Sequence, residues 1–151
     1  MKTIMMNMVR IFDGNKVLVL DKVKKYGWEG FTFPGGKVED YESFIDSAIR
    51  EAKEETNLDV SDLEYNGQIV WYDYDREERL VGLLYTANYF SGDLVEDNKE
   101  GRLFFLDYRE FIGMDNKSDS MDDILSIYHG QYSEINLYFR GDRIIERKMD
   151  K

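Results

Sequence analysis

One stretch organises the whole chain: Pro34-Gly35-Gly36-Lys37-Val38-Glu39-Asp40-Tyr41-Glu42-Ser43, then Phe44-Ile45-Asp46-Ser47-Ala48-Ile49-Arg50-Glu51-Ala52-Lys53-Glu54-Glu55-Thr56-Asn57-Leu58. Pro34 is the single proline. It fixes its own φ and drives Phe33 into an extended conformation, so a strand ends there. The two glycines after it admit backbone that other residues cannot adopt and let a ligand approach closely. From Ser43 to Thr56 the apolar residues Phe44, Ile45, Ala48, Ile49 and Ala52 recur at three- and four-residue steps, which predicts a helix. Ser43 with Asp46 three positions on resembles a capping box, with Asp in place of the longer Glu.

Each helical residue advances by about 100°, so Glu51, Glu54 and Glu55 share an arc of roughly 100°, offset from the apolar stripe. Three carboxylates so placed repel one another, and at least one must bind its proton more tightly unless a cation intervenes. Arg50 can pair with Glu54 at i+4, but one guanidinium does not balance three acids. A hard divalent cation would. Mg²⁺ accepts carboxylate, carbonyl and water oxygens and keeps positions for substrate phosphates. A carbonyl freed by irregular backbone at Gly35-Gly36 would complete the set. Taken alone, the three glutamates read first as a solvated helix face, since surface helices are commonly charged.

The spacing goes further. Gly36, five residues, Glu42, seven residues, then Arg50-Glu51-Ala52-Lys53-Glu54-Glu55-Thr56-Asn57-Leu58 resembles the Nudix box, Gly-x5-Glu-x7-Arg-Glu-U-x-Glu-Glu-x-Gly-U, over residues 36–58. The last glycine is replaced by Asn57. That position follows the helix end, where a left-handed residue closes the final turn, and Asn tolerates this next best, at a cost below about 1 kcal/mol. Ala52 is small for the aliphatic position. The resemblance extends over about residues 1–110. Gly30 to Glu39 looks like the strand and loop that enter the box. Trp71-Tyr72-Asp73 and Glu100 to Phe105 are similar to segments of the bacterial mutator-type subgroup of 8-oxo-dGTP diphosphatases.

This resemblance implies a hydrolase of a nucleoside diphosphate linkage that uses Mg²⁺, or Mn²⁺ in its place. A nucleoside triphosphate such as 8-oxo-dGTP would yield monophosphate and pyrophosphate. ADP-ribose, a nucleotide sugar or a dinucleoside polyphosphate is the alternative substrate class, and a non-catalytic nucleotide sensor is a third reading. Glu51, Glu54 and Glu55 match the metal-binding glutamates, and Arg50 matches the arginine that orients them. The Gly35 carbonyl is a further candidate ligand, with Gly36 the alternative. Glu51 is the first candidate for the group that accepts the proton of the attacking water, and Glu100 the second. Lys22, with Lys24 and Lys25 on the loop before Trp28, is a candidate phosphate contact. Phe31, Trp71 and Tyr72 are candidates for stacking on a base, although strand aromatics are more often core.

Outward from the box, Ile4 to Phe12 and Lys16 to Leu20 flank Asp13-Gly14-Asn15 and predict a hairpin. A short strand is expected at Phe31 to Phe33, a strand pair at 64–74 and 80–90, and another strand at 102–106. Short helices are expected at 107–111 and 121–128, and a terminal hairpin at 135–139 and 143–147. Strands on both sides of a buried helix, with helices after them, predict an α/β protein of α+β type. The expected architecture is a Nudix-like α/β/α sandwich with a mixed β-sheet and its box helix at about 43–56.

The 151 residues suffice for one domain, 1–151, with a core of its own. No cysteine is present, which excludes thiol nucleophiles, disulfides and zinc ribbons, and the single His129 cannot build a multi-histidine metal site. Thirty-one acidic against 20 basic residues give a formal charge of −11. That charge argues against nucleic-acid polymers and anionic membranes as partners. Asn7 and Arg10 interrupt the N-terminal apolar run, so the expectation is a cytoplasmic protein acting on a small-molecule nucleotide, with a homodimer left open. Asp73 and Asp75 superficially suggest a calcium loop, but Glu78 and Leu84 stand where its glycine and bidentate glutamate belong.

Overall fold

The computed structural model describes residues 1–23 and 29–151. Lys24, Lys25 and Trp28 lie outside the described residues. The chain opens with β1 (Lys2–Asp13) and β2 (Lys16–Lys22), joined at Gly14-Asn15 with Asp13 opposite Lys16. Gly14 takes a φ of 62°, the left-handed conformation that a two-residue hairpin demands. Past the first two residue pairs the strands part company. β1 runs parallel to β7 (Glu78–Ala87) from Lys2 to Ile11, and β2 runs antiparallel to β10 (Gly101–Asp107). The gap between them is closed by β3 (Gly30–Thr32) on β2 and β4 (Gly35–Lys37) on β1. Pro34 sits between those two short strands and lends its carbonyl to the Val9 amide, 2.9 Å away.

The helix α1 (Phe44–Thr56) follows, then β5 (Asp59–Ser61), β6 (Glu64–Asp73), β7, β8 (Tyr89–Ser91), β9 (Asp97–Asn98) and β10. The chain ends with α2 (Tyr108–Ile112), α3 (Met121–Tyr128), β11 (Glu134–Arg140) and β12 (Arg143–Asp150). The mixed sheet orders as β12-β11-β6-β7-β1-β2-β10-β9. One face carries α1 over Val9, Ile11, Leu18 and Leu83. The other carries α2 and α3 over Ile69, Leu84, Ile135 and Leu137. The expected α/β/α sandwich is therefore what the chain forms.

Several expectations change. The strand predicted at 80–90 divides after Ala87: Tyr89 to Ser91 leaves the main sheet to pair with β5 in a separate two-stranded sheet. The predicted terminal hairpin exists, and β11 completes the main sheet by pairing in parallel with β6. On α1, Phe44 and Ile45 are about half exposed, and the buried stripe is Ser47, Ala48, Ala52 and Thr56. Small residues let the helix lie close on β1 and β4, so volume rather than hydrophobicity selects the inward face. The Ser43 hydroxyl accepts from the Asp46 amide at 3.0 Å, and Asn57 closes the helix at a φ of 68°.

Candidate active site

The diglycine is not irregular. Gly35 and Gly36 belong to β4, and neither has positive φ, so the expectation of unusual backbone there is corrected. What the glycines provide is space. A Cβ on Gly36 would fall 2.2 Å from the carboxyl carbon of Glu51, and one on Gly35 would fall 2.1 Å from the Asn7 carbonyl oxygen. Any side chain at position 36 would displace the glutamate that the helix delivers there.

Arg50 gathers the acids of α1 and the loop before it. Its Nε donates to Glu42 at 2.7 Å and its Nη2 to the other Glu42 oxygen at 3.0 Å. Nη1 donates to Glu51 at 2.9 Å and to Glu54 at 3.1 Å, and Nη2 also reaches the Lys37 carbonyl at 2.9 Å. The paired Glu42 carboxylate, mainly through its Arg50 hydrogen bonds, titrates below the ordinary glutamate range, and Arg50 holds its proton more tightly than usual. Glu54 is the exposed member of the set, with 59% of its side chain accessible.

Glu51 and Glu55 behave differently. Burial pushes the Glu51 carboxyl up, with Arg50 opposing it. Glu55 is pushed up further, first by burial and then by a hydrogen-bonded contact with Glu100. Its Oε2 accepts from the Gly35 amide at 3.1 Å, which works the other way but does not prevail. Glu100 also adds charge beside Glu51. Glu51, Glu55 and Glu100 thus press negative charge into one desolvated corner against β4.

Among the described residues no three carboxylates or histidines converge as a ready metal cage. The donor set nevertheless fits a hard divalent cation. Its donors are all oxygens, burial first and neighbouring carboxylates second raise the proton affinity of Glu51 and Glu55, and a cation would offset both.

Beside this corner lies a narrow, open-mouthed cleft. Its walls include Met6, Met8, Leu84 and Trp71, with Glu55, Glu100 and Lys22 at the acidic end. Trp71 donates its indole N–H to Ser120 Oγ at 3.1 Å, and its ring lies across Gly82, where a Cβ would sit 3.0 Å from a ring carbon. Lys22 is the last residue of β2 rather than a loop residue, and its Nζ stands 3.9 Å from Glu100.

Two candidates fall elsewhere. Phe31 is a core residue, edge-on to Phe104 with ring centres 5.8 Å apart, and does not line the cleft. Tyr72 points to the opposite face of β6 from Trp71 and stacks on Tyr138 at 4.4 Å. Strand alternation makes this unavoidable, because neighbouring residues cannot both face one cleft.

The sequence reading missed Asn7, Ser118 and Asp119, which also line the cleft. Asn7 is buried, donates to Ser47 Oγ at 2.9 Å and accepts from the Gly36 amide at 3.2 Å, tying β4 to β1 and α1. Its signal was present: it is the lone polar residue in the apolar run before Arg10. His129 takes no part, since its Nε2 meets the Tyr108 hydroxyl at 2.8 Å away from the cleft. Asp73 Oδ1 accepts from the amides of Asp75 and Arg76, a turn and not a calcium loop.

The family model described as the NUDIX domain matches residues 1–124. Over 99 residues the chain is 31% identical to the "Uncharacterized Nudix hydrolase YvcI" of Bacillus subtilis (strain 168), covering 64% of this chain and 61% of that protein. Over 75 residues it is 54% identical to the "Putative 8-oxo-dGTP diphosphatase YtkD" of the same organism, covering 50% of this chain and 43% of that one. The chain thus spans about half the length of the curated relatives it matches. The crystal structure of a mutator MutT protein from Bacillus halodurans superimposes with a TM-score of 0.80 over 97% of each chain at 22% identity, which establishes a shared fold.

Proposed function

This chain belongs to the NUDIX domain family, and from that premise we propose that it hydrolyses a nucleoside diphosphate linkage with the help of a divalent cation. The observation that carries the reading is the desolvated corner where Glu51, Glu55 and Glu100 crowd against β4 at the acidic end of an otherwise largely apolar cleft. Glu51, Glu54, Glu55 and Glu100, with the Gly35 carbonyl or that of Gly36, are the groups to hold Mg²⁺ or Mn²⁺. Bound there, the cation would bind phosphate oxygens and neutralise the charge that develops on them.

The chain's own residues do the rest. A water oxygen attacks one phosphorus of the linkage, a P–O bond forms, and the bridging P–O bond breaks with the leaving phosphate taking its electrons. Glu51 accepts the water's proton. Burial raises its proton affinity above that of an ordinary glutamate, with Arg50 opposing, which makes it a stronger base. Arg50 keeps Glu51 and Glu54 at fixed positions, and Lys22 offers a positive charge to the polyphosphate beside Glu100. The base of the nucleotide enters between Trp71 and the methionines of β1.

A nucleoside triphosphate is the proposed substrate, with 8-oxo-dGTP first. Support comes from the name carried by the YtkD relative and from the aromatic wall of the cleft. The nucleotide pool in question is cytoplasmic. Incubating the protein with a panel of nucleotides and Mg²⁺ tests this. Pyrophosphate with a monophosphate is the expected product pair, two monophosphates would move the substrate to ADP-ribose or a related dinucleotide, and orthophosphate alone would contradict the reading. Replacing Glu54 by Gln should lower turnover by orders of magnitude with the fold intact. A sensor would instead bind nucleotide unchanged.

A further inference from the structure

A helix leaves its last carbonyls without partners inside the helix, and in α1 one of these belongs to Glu55. Asn98, in β9, donates its Nδ2–H to that carbonyl at 3.1 Å. The other end of the same amide turns the chain. Its Oδ1 accepts from the Glu100 amide at 2.8 Å and from the Gly101 amide at 3.1 Å. One side chain therefore joins the backbone of Glu55 to the backbone of Glu100, the two residues whose carboxyl groups meet in the acidic corner.

The turn is held from its far side as well. The Glu100 carbonyl accepts from the Val23 amide at 2.9 Å, and Gly101 lies so close to β2 that a Cβ there would fall 1.9 Å from the Asp21 carbonyl oxygen. Two carboxyl groups brought together out of water repel, and either could swing back toward solvent if its backbone were free to retreat. We propose that Asn98 is a positioning residue of this site: its amide fixes Glu100 against the end of α1, so that Glu55 and Glu100 present their oxygens to one cation. This inference rests on the hydrolase reading above and adds to it a residue outside the box.

The test is a double-mutant cycle read by steady-state kinetics and by Mn²⁺ affinity from electron paramagnetic resonance, which needs no turnover. Asn98→Ala should lower kcat and Mn²⁺ affinity by about 10- to 100-fold, the usual loss when a group that orients a ligand is removed. KM for the nucleotide should stay within about 2-fold, because Asn98 does not touch it. The pair Asn98→Ala with Glu100→Gln should be no worse than Glu100→Gln alone, since Asn98 acts through Glu100. Multiplied losses would overturn the inference while leaving Glu100 in the site. Wild-type kcat and Mn²⁺ affinity in Asn98→Ala would overturn it too. Glu100→Gln with wild-type kcat and Mn²⁺ affinity would strike the site reading and the inference together. Asn98→Asp guards against a variant that fails to fold: it keeps the acceptor for both turn amides and lacks the donor to the helix. It should fall between wild type and Asn98→Ala, and full activity there would show that the link to Glu55 is idle and overturn the proposal.

Discussion

Two arginines on different elements show how differently one cation can be used. Arg10, on β1, lies over the rings of Tyr128, Phe12 and Tyr108 at 4.5, 4.8 and 5.5 Å. It donates to Thr86 Oγ1 at 3.0 and 3.2 Å and to the Tyr108 hydroxyl at 2.8 Å. Among the described residues, rings and hydroxyls satisfy it without a formal countercharge. Arg50 meets the opposite situation, with Glu42, Glu51 and Glu54 all within 3.1 Å, while Glu55 and Glu100 crowd each other. The first cluster is closed and serves stability. The second carries more negative charge than its cation can balance, and the proposed cation site rests on that imbalance.

The comparison is broken most directly at Glu51. Glu51→Gln should lower kcat by about 10³-fold, the loss expected of a general base, with a native circular-dichroism spectrum. A loss confined to KM would remove Glu51 from the proton transfer. Arg50→Lys comes next. A lysine cannot span Glu42, Glu51 and Glu54 with one planar fork, so kcat should fall by about 10- to 100-fold although the charge is kept. Arg10→Met should cost about 2 kcal/mol through lost cation–π and hydroxyl contacts, read as a lower urea midpoint at constant slope. Its kcat per folded molecule should not change, which separates the two arginines.

Glu55→Gln sharpens the contrast with a sign of its own. Because burial raises the folded pKa of Glu55, its stabilising contribution is complete below the unfolded value of about 4.3 and is lost as pH rises through the folded value. At pH 8 without metal the Gln variant should therefore melt higher than wild type, by about 2–4 °C if the gain is about 1 kcal/mol. At pH 4 the two should coincide, and Mg²⁺ should stabilise wild type alone. The smallest effect belongs to Asn57→Gly. Glycine suits the left-handed conformation, but it gives up the bond from Asn57 Nδ2 to the Asp93 carbonyl at 2.8 Å, so stability should move by less than about 0.5 kcal/mol in calorimetry.

Most of the elements were legible in the chain because their signals are local. The α1 helix, the first hairpin and the terminal hairpin follow from periodicity and from turn residues such as Gly14 and Gly141. The inward face of α1 was misjudged at Phe44 and Ile45 because hydrophobicity alone says nothing of how close the partner surface lies. Tyr72 was grouped with Trp71 although the two sit on opposite faces of β6, a distinction that strand alternation supplies only once the cleft's side is known. Asn7 and Asn98 escaped notice because a polar residue becomes a clamp only through partners remote in sequence.

By itself the sequence settled the membership of the helix face: Arg50, Glu51, Glu54 and Glu55 occupy neighbouring positions wherever that segment is helical, because helical geometry depends on nothing beyond the segment. The tertiary structure alone decided which of those acids is buried and which stays in water. Glu54 remains exposed, while Glu55 is brought against Glu100 by the register of β10 on β2 and by the Asn98 amide. Desolvation depends on what packs around a carboxyl group, and strand register is set by contacts between distant parts of the chain.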